Sequence, residues 1–209
     1  MNREELLKNA KPILFNTEMV QAILEGRKTV TRRLVKPKYK KDEGGFQVCT
    51  NKATGERWIE KHDWDEGSFD NPRYVNSPYQ VGDILYVRET FNNTETDTVL
   101  YAADKDFIDF YLFMESEIKW KPSIHMPKEA ARIFLKITDV RVERLQDITE
   151  EDAITEGMSK TLVGGVVFIS AKGNFHVLWD SLNIKRGYGW EDNPWVWVIE
   201  FERVDVENE

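Results

Sequence analysis

The side chains best suited to chemistry lie between Arg27 and Lys41, where basic residues follow one another with no acidic residue between them. The protein as a whole is acidic, with a net charge of -8 over 209 residues. A cationic segment on an acidic protein indicates a local site for an anion such as a phosphate. The alternative is a solvated basic loop beside an acidic body. The basic residues are Arg27, Lys28, Arg32, Arg33, Lys36, Lys38, Lys40 and Lys41.

The overall composition restricts the partners and sites of this protein. A net negative charge argues against non-specific binding to duplex nucleic acid, but it leaves room for a groove that admits a single strand or one nucleotide. Cys49 is the single cysteine, so we expect no intrachain disulfide and no cysteine-ligated zinc. The histidines lie far apart without ligand spacing, and we therefore expect no metal and no cofactor. They are His62, His125 and His176.

The start of the chain and its apolar runs bear on localisation. Residues 1–11 are charged and contain no apolar signal core. Nowhere do about 18 apolar residues run together, which is the length that a membrane-spanning helix needs. These features predict a cytoplasmic protein that does not associate with membranes.

Hydrophobic patterning predicts strands interleaved with a few short helices. One helix begins with Thr17 as N-cap and stops at Gly26, and another begins with a capping box at Thr149 and stops at Gly157. Helical spacing also occurs over residues 106–117 and 175–182. The predicted strands are residues 11–15, 30–35, 84–91, 98–102, 131–142 and 195–204.

This order of elements predicts an α+β fold in one domain, residues 1–209, in which a small curled sheet or barrel is surrounded by peripheral helices. There is no regular βαβ alternation and no glycine-rich phosphate loop. We expect insertions at about 36–80, 103–128 and 159–172. The first of these contains a possible hairpin of 45–50 and 55–61, with its turn at 51–54.

Four short stretches together resemble the ASCH domain proteins, and more narrowly the versions carried by phages and prophages. They occur in a fixed order over residues 11–204, which is nearly the whole chain. The stretches are GRKTVTRR at 26–33, GDILYVRE at 82–89, PSIHMP at 122–127 and NPWVWV at 193–198.

The resemblance implies both a fold and a function. The ASCH fold is similar to the PUA fold, a mixed β-barrel with helices packed around a cleft, and family-level inference is RNA binding. One small bacterial branch is an amidohydrolase that removes acyl groups from N4-acetylcytidine, and another has been described as a ribonuclease. In the amidohydrolase branch the working groups are a lysine, a threonine three residues later and a glutamate on a later strand. The matching positions here are Lys28, Thr31 and Glu89.

Physical chemistry is consistent with these implied roles. Lys28 can act as a base if burial and neighbouring cations lower its pKa, and Thr31 can then act as the nucleophile or position a water. Glu89 can orient Lys28 or pass a proton to the leaving amine. In a regular strand Lys28 and Thr31 point to opposite faces, so they converge only if the chain turns between them. The alternative for Glu89 is an ion pair with Lys28 or an arginine that pins helix to barrel.

A binding function uses the same expected pocket. Arg32 and Arg33 can hold a phosphate bidentately, and Arg88 and His125 are further candidate ligand contacts. Aromatic rings near the pocket can stack a base, as they do in single-strand readers. We therefore expect a protein that binds RNA or a modified nucleoside or nucleotide in a cationic cleft. Hydrolysis of an acylated cytidine is the alternative, and a phage interaction protein with a vestigial pocket is a third hypothesis.

Overall fold

The structure is a computed structural model that describes residues 2–35, 46–50, 57–61, 73–75, 77–93, 98–104 and 118–206. Several predictions lie outside these residues, namely the helix over 106–117, the turn at 51–54, His62 and the basic residues from Lys36 to Lys41. Within the described residues there are four α-helices and twelve strands, so the protein is α+β as expected.

The elements alternate irregularly along the chain. The helices are α1 (Arg3–Asn9), α2 (Thr17–Leu24), α3 (Glu150–Thr155) and α4 (Ala171–Asn183). The strands are β1 (Lys11–Leu14), β2 (Val30–Leu34), β3 (Phe46–Thr50), β4 (Arg57–Lys61), β5 (Arg73–Val75), β6 (Ile84–Arg88), β7 (Phe91–Asn93), β8 (Val99–Tyr101), β9 (Phe134–Arg144), β10 (Thr161–Val163), β11 (Val166–Ile169) and β12 (Trp195–Val204).

A five-stranded mixed sheet in the order β1-β6-β9-β12-β2 forms the centre of the protein. β1 and β6 run parallel, and the other neighbours are antiparallel. The remaining strands form small sheets of their own, β3-β4-β5, β7-β8 and β10-β11. The expected hairpin in the first insertion is present as the antiparallel pair β3 and β4.

The predicted PUA-like β-barrel is wrong, because no sheet among the described strands closes on itself. The edge strands β1 and β2 have one neighbour each and do not pair with one another. A side chain crosses between them instead, since Nη2 of Arg33 on β2 donates to the carbonyl oxygen of Leu14 on β1 at 2.8 Å. The alternation of apolar residues, which is the same in an open and a closed sheet, cannot distinguish the two.

Both faces of the central sheet are covered. On one face α2 packs through Val20 and Ile23 in a cluster that includes Ile137 and Ile199. On the other face α3 and α4 pack over β12, and α1 belongs to a third cluster with β7 and the start of β9. Burial on two sides explains why β12 has four consecutive buried residues, from Val196 to Ile199. No helix in the described ranges is long and apolar enough to cross a membrane.

The two helices next to β2 begin and end close to the predicted positions. α2 begins at Thr17, but its N-cap is Asn16, whose side chain accepts a hydrogen bond from the Met19 amide at 2.9 Å. Gly26 follows this helix with φ +73°, which suits glycine. The capping box predicted at Thr149 is present in α3, and Gly157 follows Glu156 with φ +92°.

Candidate functional site

An open cleft of about 1690 Å³ runs along the edge of the sheet formed by β2, and we call it the β2 cleft. On one side it is lined by the end of β1 and the start of α2, and on the other by α4 and the segment that follows it. Aromatic and basic side chains contribute to the lining, as do Thr31 and Glu156. The aromatic residues are Phe15, Tyr79, Phe175, Trp179, Tyr188 and Trp197, and the basic ones are Arg32, Arg33 and Arg186.

The chain turns sharply between α2 and β2, and this turn decides where Lys28 points. The amides of Arg27 and Lys28 both donate to the carbonyl oxygen of Ala22, at 2.8 and 3.0 Å. Lys28 then forms an isolated antiparallel bridge with Glu156 at the end of α3. A Cβ atom on Gly157 would lie 3.0 Å from the Cβ of Ala22 and 3.2 Å from that of Lys28, so only glycine fits this close approach.

Lys28 is fully enclosed by protein, with a side-chain exposure of 0%. Its Nζ donates to the carbonyl oxygen of Val30 at 2.7 Å, and to the carbonyl oxygen and Oε2 of Glu156 at 2.8 Å each. Burial lowers the pKa of Lys28, and the positive charges of Arg33 and Arg32 lower it further, while Glu156 opposes this change. The lysine is therefore held as half of a buried ion pair behind the cleft.

Glu156 joins this lysine to a second cation. Its Oε1 lies 3.5 Å from Nη1 of Arg32, while Nη2 of Arg32 lies 3.3 Å from carboxylate oxygens of both Glu143 and Asp152. The side chain of Arg32 is 0% exposed, and its Nε has no hydrogen-bond partner. Three surrounding carboxylates neutralise Arg32, so it is poorly placed to hold a phosphate.

Arg33 points to the other face of β2 and has different surroundings. Besides its bond to the Leu14 carbonyl, its guanidinium carbon lies 5.1 Å from the centre of the Phe15 ring. In the part of the chain that the structure describes, no carboxylate forms an ion pair with it. Burial lowers the pKa of Arg33, and the negative charge of Glu156 opposes this change without a direct contact.

Thr31 lines the β2 cleft on the same side of the strand as Arg33, while Arg32 lines it from the other side. Because side chains two apart on a strand share a face, Thr31 and Arg33 lie on one side of β2, and both line the cleft. Thr31 is 2% exposed, at the bottom of this lining. The structure thus brings together Lys28, Thr31, Arg32 and Arg33 around Glu156 and the cleft.

Glu89 belongs to a different cluster. Its two carboxylate oxygens accept hydrogen bonds from Nε and Nη2 of Arg132, each at 3.0 Å, and Arg132 also contacts Asp104. The guanidinium lies 3.9 Å from the centre of the Tyr101 ring. Burial raises the pKa of Glu89, and the bonds from Arg132 oppose this change. The carboxylate that contacts Lys28 is therefore Glu156, and Glu89 is paired with an arginine.

The loop over residues 122–127 contains His125 and is contacted by Arg88. The guanidinium of Arg88 donates to the carbonyl oxygen of Ile124, and Ser123 of the same loop lines the β2 cleft. The ring of His125 is exposed and does not line the cleft. Arg88 thus holds a loop that contributes to the cleft wall.

The sequence analysis did not identify Glu156, although one local feature of the sequence distinguishes it. It is the C-cap of α3, and a negative charge at this end of a helix opposes the helix dipole. An acid at such a position indicates a partner elsewhere in the fold, although it does not say which one.

The described residues contain no group of three or more His, Cys, Asp or Glu side chains that could hold a metal ion. Comparison with known proteins adds no relative, since no protein-family profile, curated protein or solved structure matches the chain. The resemblance to ASCH proteins stays a prediction.

Proposed function

We propose that the protein binds a modified nucleoside or nucleotide in the β2 cleft and hydrolyses an acyl amide on its base. The observation that carries this proposal is that Glu156, the partner of buried Lys28, lines the same cleft as Thr31. A buried ion pair is a weak source of stability, and a perturbed lysine beside a cleft favours a functional role. The resemblance to ASCH proteins supplies the substrate class, an N4-acylated cytidine.

The proposed reaction uses Thr31 as nucleophile and the Lys28–Glu156 pair as the base. Oγ1 of Thr31 forms a bond to the amide carbonyl carbon, and its proton passes to the pair. Glu156 is the member of the pair that lines the cleft, and its loosely held Oε1 accepts this proton while Lys28 stays bonded to Oε2. The tetrahedral intermediate then expels the nucleobase amine, which takes the proton back. Water cleaves the resulting ester with the same pair as its base.

The test is release of cytidine from N4-acetylcytidine, followed by chromatography. Thr31→Ala removes the nucleophile and Glu156→Gln removes the carboxylate, and each is expected to lower the rate by about 10²- to 10⁴-fold. Thr161→Ala removes the same hydroxyl from exposed β10 and serves as the matched control. A wild-type protein that releases no cytidine, or a Thr31→Ala variant with the wild-type rate, would contradict the proposed hydrolysis.

A specific observation favours a second candidate, binding without chemistry. Nζ of Lys28 contacts three acceptors, which are enough to occupy every N–H of an ammonium group, so no donor is left for a ligand. In that case the aromatic lining stacks a nucleobase, as in single-strand readers. The same assay separates the candidates, because a reader binds cytidine and its acylated form without converting either.

The charge distribution favours one nucleotide over an RNA strand in either case. Arg27 is paired with Glu25, and Arg32 is surrounded by Glu143, Asp152 and Glu156. Few cations of the described part of the basic segment are therefore free to follow a polyanionic backbone.

A further inference from the structure

Two adjacent arginines on β2 face different surroundings, and the difference bears on the ligand. The guanidinium of Arg32 has three carboxylates within 3.5 Å, whereas Arg33 has none among the described residues. Both arginines line the β2 cleft, so the adjacent positions provide one neutralised cation and one that has no directly paired carboxylate among the described residues.

The guanidinium of Arg33 retains donors for a ligand. An arginine carries five N–H donors, and within the described ranges one Nη2 donor is used, for the Leu14 carbonyl. Phe15 packs against the guanidinium, and Tyr79, which also lines the cleft, is fixed nearby by its bond to the Pro12 carbonyl at 2.9 Å. Among the described residues, Glu156 acts on Arg33 only at a distance, so an anion on the ligand can stabilise the partly dehydrated guanidinium through direct hydrogen bonds.

We propose that Arg33 binds the phosphate of a nucleoside monophosphate, so that the ligand class is the nucleotide and not the neutral nucleoside. This inference rests on the proposed function, which supplies the identity of the nucleobase, a cytosine. A phosphate matches the planar fork of arginine bidentately, and the cleft volume exceeds what one nucleotide needs.

The acidic residues of the lining restrict the size of the anion. They are Glu18, at the start of α2, and Glu156, which is already paired with Lys28 and Arg32. The further phosphates of a strand that followed this lining would be repelled by the exposed Glu18 and by the carboxylate of Glu156, and a single phosphate keeps this repulsion small. The arrangement thus favours one terminal phosphate.

The experiment compares cytidine 5′-monophosphate with cytidine by calorimetric titration of the full chain. The phosphate is the sole difference between the two probes, and a charged hydrogen-bonded pair corresponds to about 10- to 100-fold in affinity. We expect wild type to bind the monophosphate more tightly by about this factor. Arg33→Met should bind both probes as weakly as wild type binds cytidine. Arg203→Met, which removes an exposed arginine outside the cleft lining, should keep the preference.

Equal affinity of wild type for the two probes, or an unchanged preference in Arg33→Met, would overturn the inference. If Arg33→Met does not fold, Arg33→Lys decides, because it keeps the charge and loses the fork, so the preference should fall but not vanish. A full preference in Arg33→Lys would then count against a bidentate contact. If wild type binds neither cytidine 5′-monophosphate nor cytidine, the inference is also overturned.

A parallel assay separates this inference from the proposed hydrolysis. Equal turnover of N4-acetylcytidine and its 5′-monophosphate, with no effect of Arg33→Met, leaves hydrolysis standing and removes the nucleotide preference. If the monophosphate binds in an Arg33-dependent way but is not turned over, the nucleotide preference stands and the proposed hydrolysis is wrong.

Discussion

Two buried glutamates, Glu156 and Glu89, are each held by a cation, yet the two pairs differ in what remains unsatisfied. Arg132 reaches both oxygens of Glu89 at 3.0 Å, so that carboxylate is fully occupied. Lys28 reaches Oε2 of Glu156 at 2.8 Å, while Oε1 has a long 3.5 Å contact to Arg32. The Glu156 pair also borders the β2 cleft, and Glu89 does not line it.

The difference shows why a buried charge alone does not identify a functional site. In a bidentate pair both carboxylate oxygens are hydrogen-bonded to the arginine, so the pair has a structural role. Removing one partner leaves the charge of the other buried and unpaired. A carboxylate with a loosely held oxygen beside a cleft retains capacity for a proton or a ligand. Three predictions test this contrast, beginning with the largest expected effect.

Removing the cation of the Glu89 cluster should produce the largest loss of stability. Arg132→Met leaves Glu89, which is 1% exposed, without a cation, and we expect the free energy of unfolding to fall by about 3–5 kcal/mol. Urea denaturation measures this change. Arg132→Lys is the control, since it keeps the charge but not the bidentate geometry. If the free energy of unfolding falls by less than about 1 kcal/mol, Arg132 does not hold Glu89 tightly, and the Glu89 and Glu156 pairs do not differ as described.

Removing Lys28 should cost less, because Arg32 remains close to Glu156. We expect Lys28→Met to lower the free energy of unfolding by about 1–3 kcal/mol. The double variant Lys28→Met/Glu156→Gln should be less destabilised than the sum of the single variants, with a coupling of about 0.5–3 kcal/mol. Additive single effects would show that the two side chains do not act as a pair.

The smallest expected effect is on the pH dependence of stability. Burial raises the pKa of Glu89 above the ordinary value near 4.5, so the folded state binds a proton where the unfolded chain has released it. This carboxyl therefore lowers the free energy of unfolding as pH rises from about 4.5 through the folded pKa. The loss is about 1.4 kcal/mol for each pH unit that separates the folded pKa from the unfolded one.

Glu89→Gln removes this contribution. The stability of wild type relative to the variant should fall as pH rises above about 4.5, as measured by urea denaturation at several pH values. A relative stability that rises with pH would mean that pairing with Arg132 outweighs burial.

Local signals were sufficient for much of the framework. The helix that stops before Gly26 and the capping box at Thr149 depend on neighbouring residues, and both are present. The last strand was predicted at residues 195–204 and is observed as Trp195–Val204. The barrel was wrong because closure depends on whether two edge strands meet, and no local pattern records the distance between β1 and β2.

The candidate site was predicted in part for the same reason. Composition indicated Lys28 and Arg33, which lie in one basic segment, and the resemblance to ASCH proteins added Thr31 between them. Glu156 lies 128 residues from Lys28 along the chain, and only the docking of α3 against the turn after α2 unites them. Glu89 was assigned as their partner from the resemblance to ASCH amidohydrolases, and in the structure that residue pairs with Arg132.

By itself the sequence determined the α+β class, the helix ends around β2 and the presence of an isolated cationic segment, because each depends on residues a few positions apart. Tertiary structure alone decided that the described strands form an open sheet, that Arg32 and not Arg33 directly contacts carboxylates of the described residues, and that Glu156 contacts Lys28. Charge pairing and burial depend on distance in space, and a folded chain sets those distances through packing between residues that are remote in sequence.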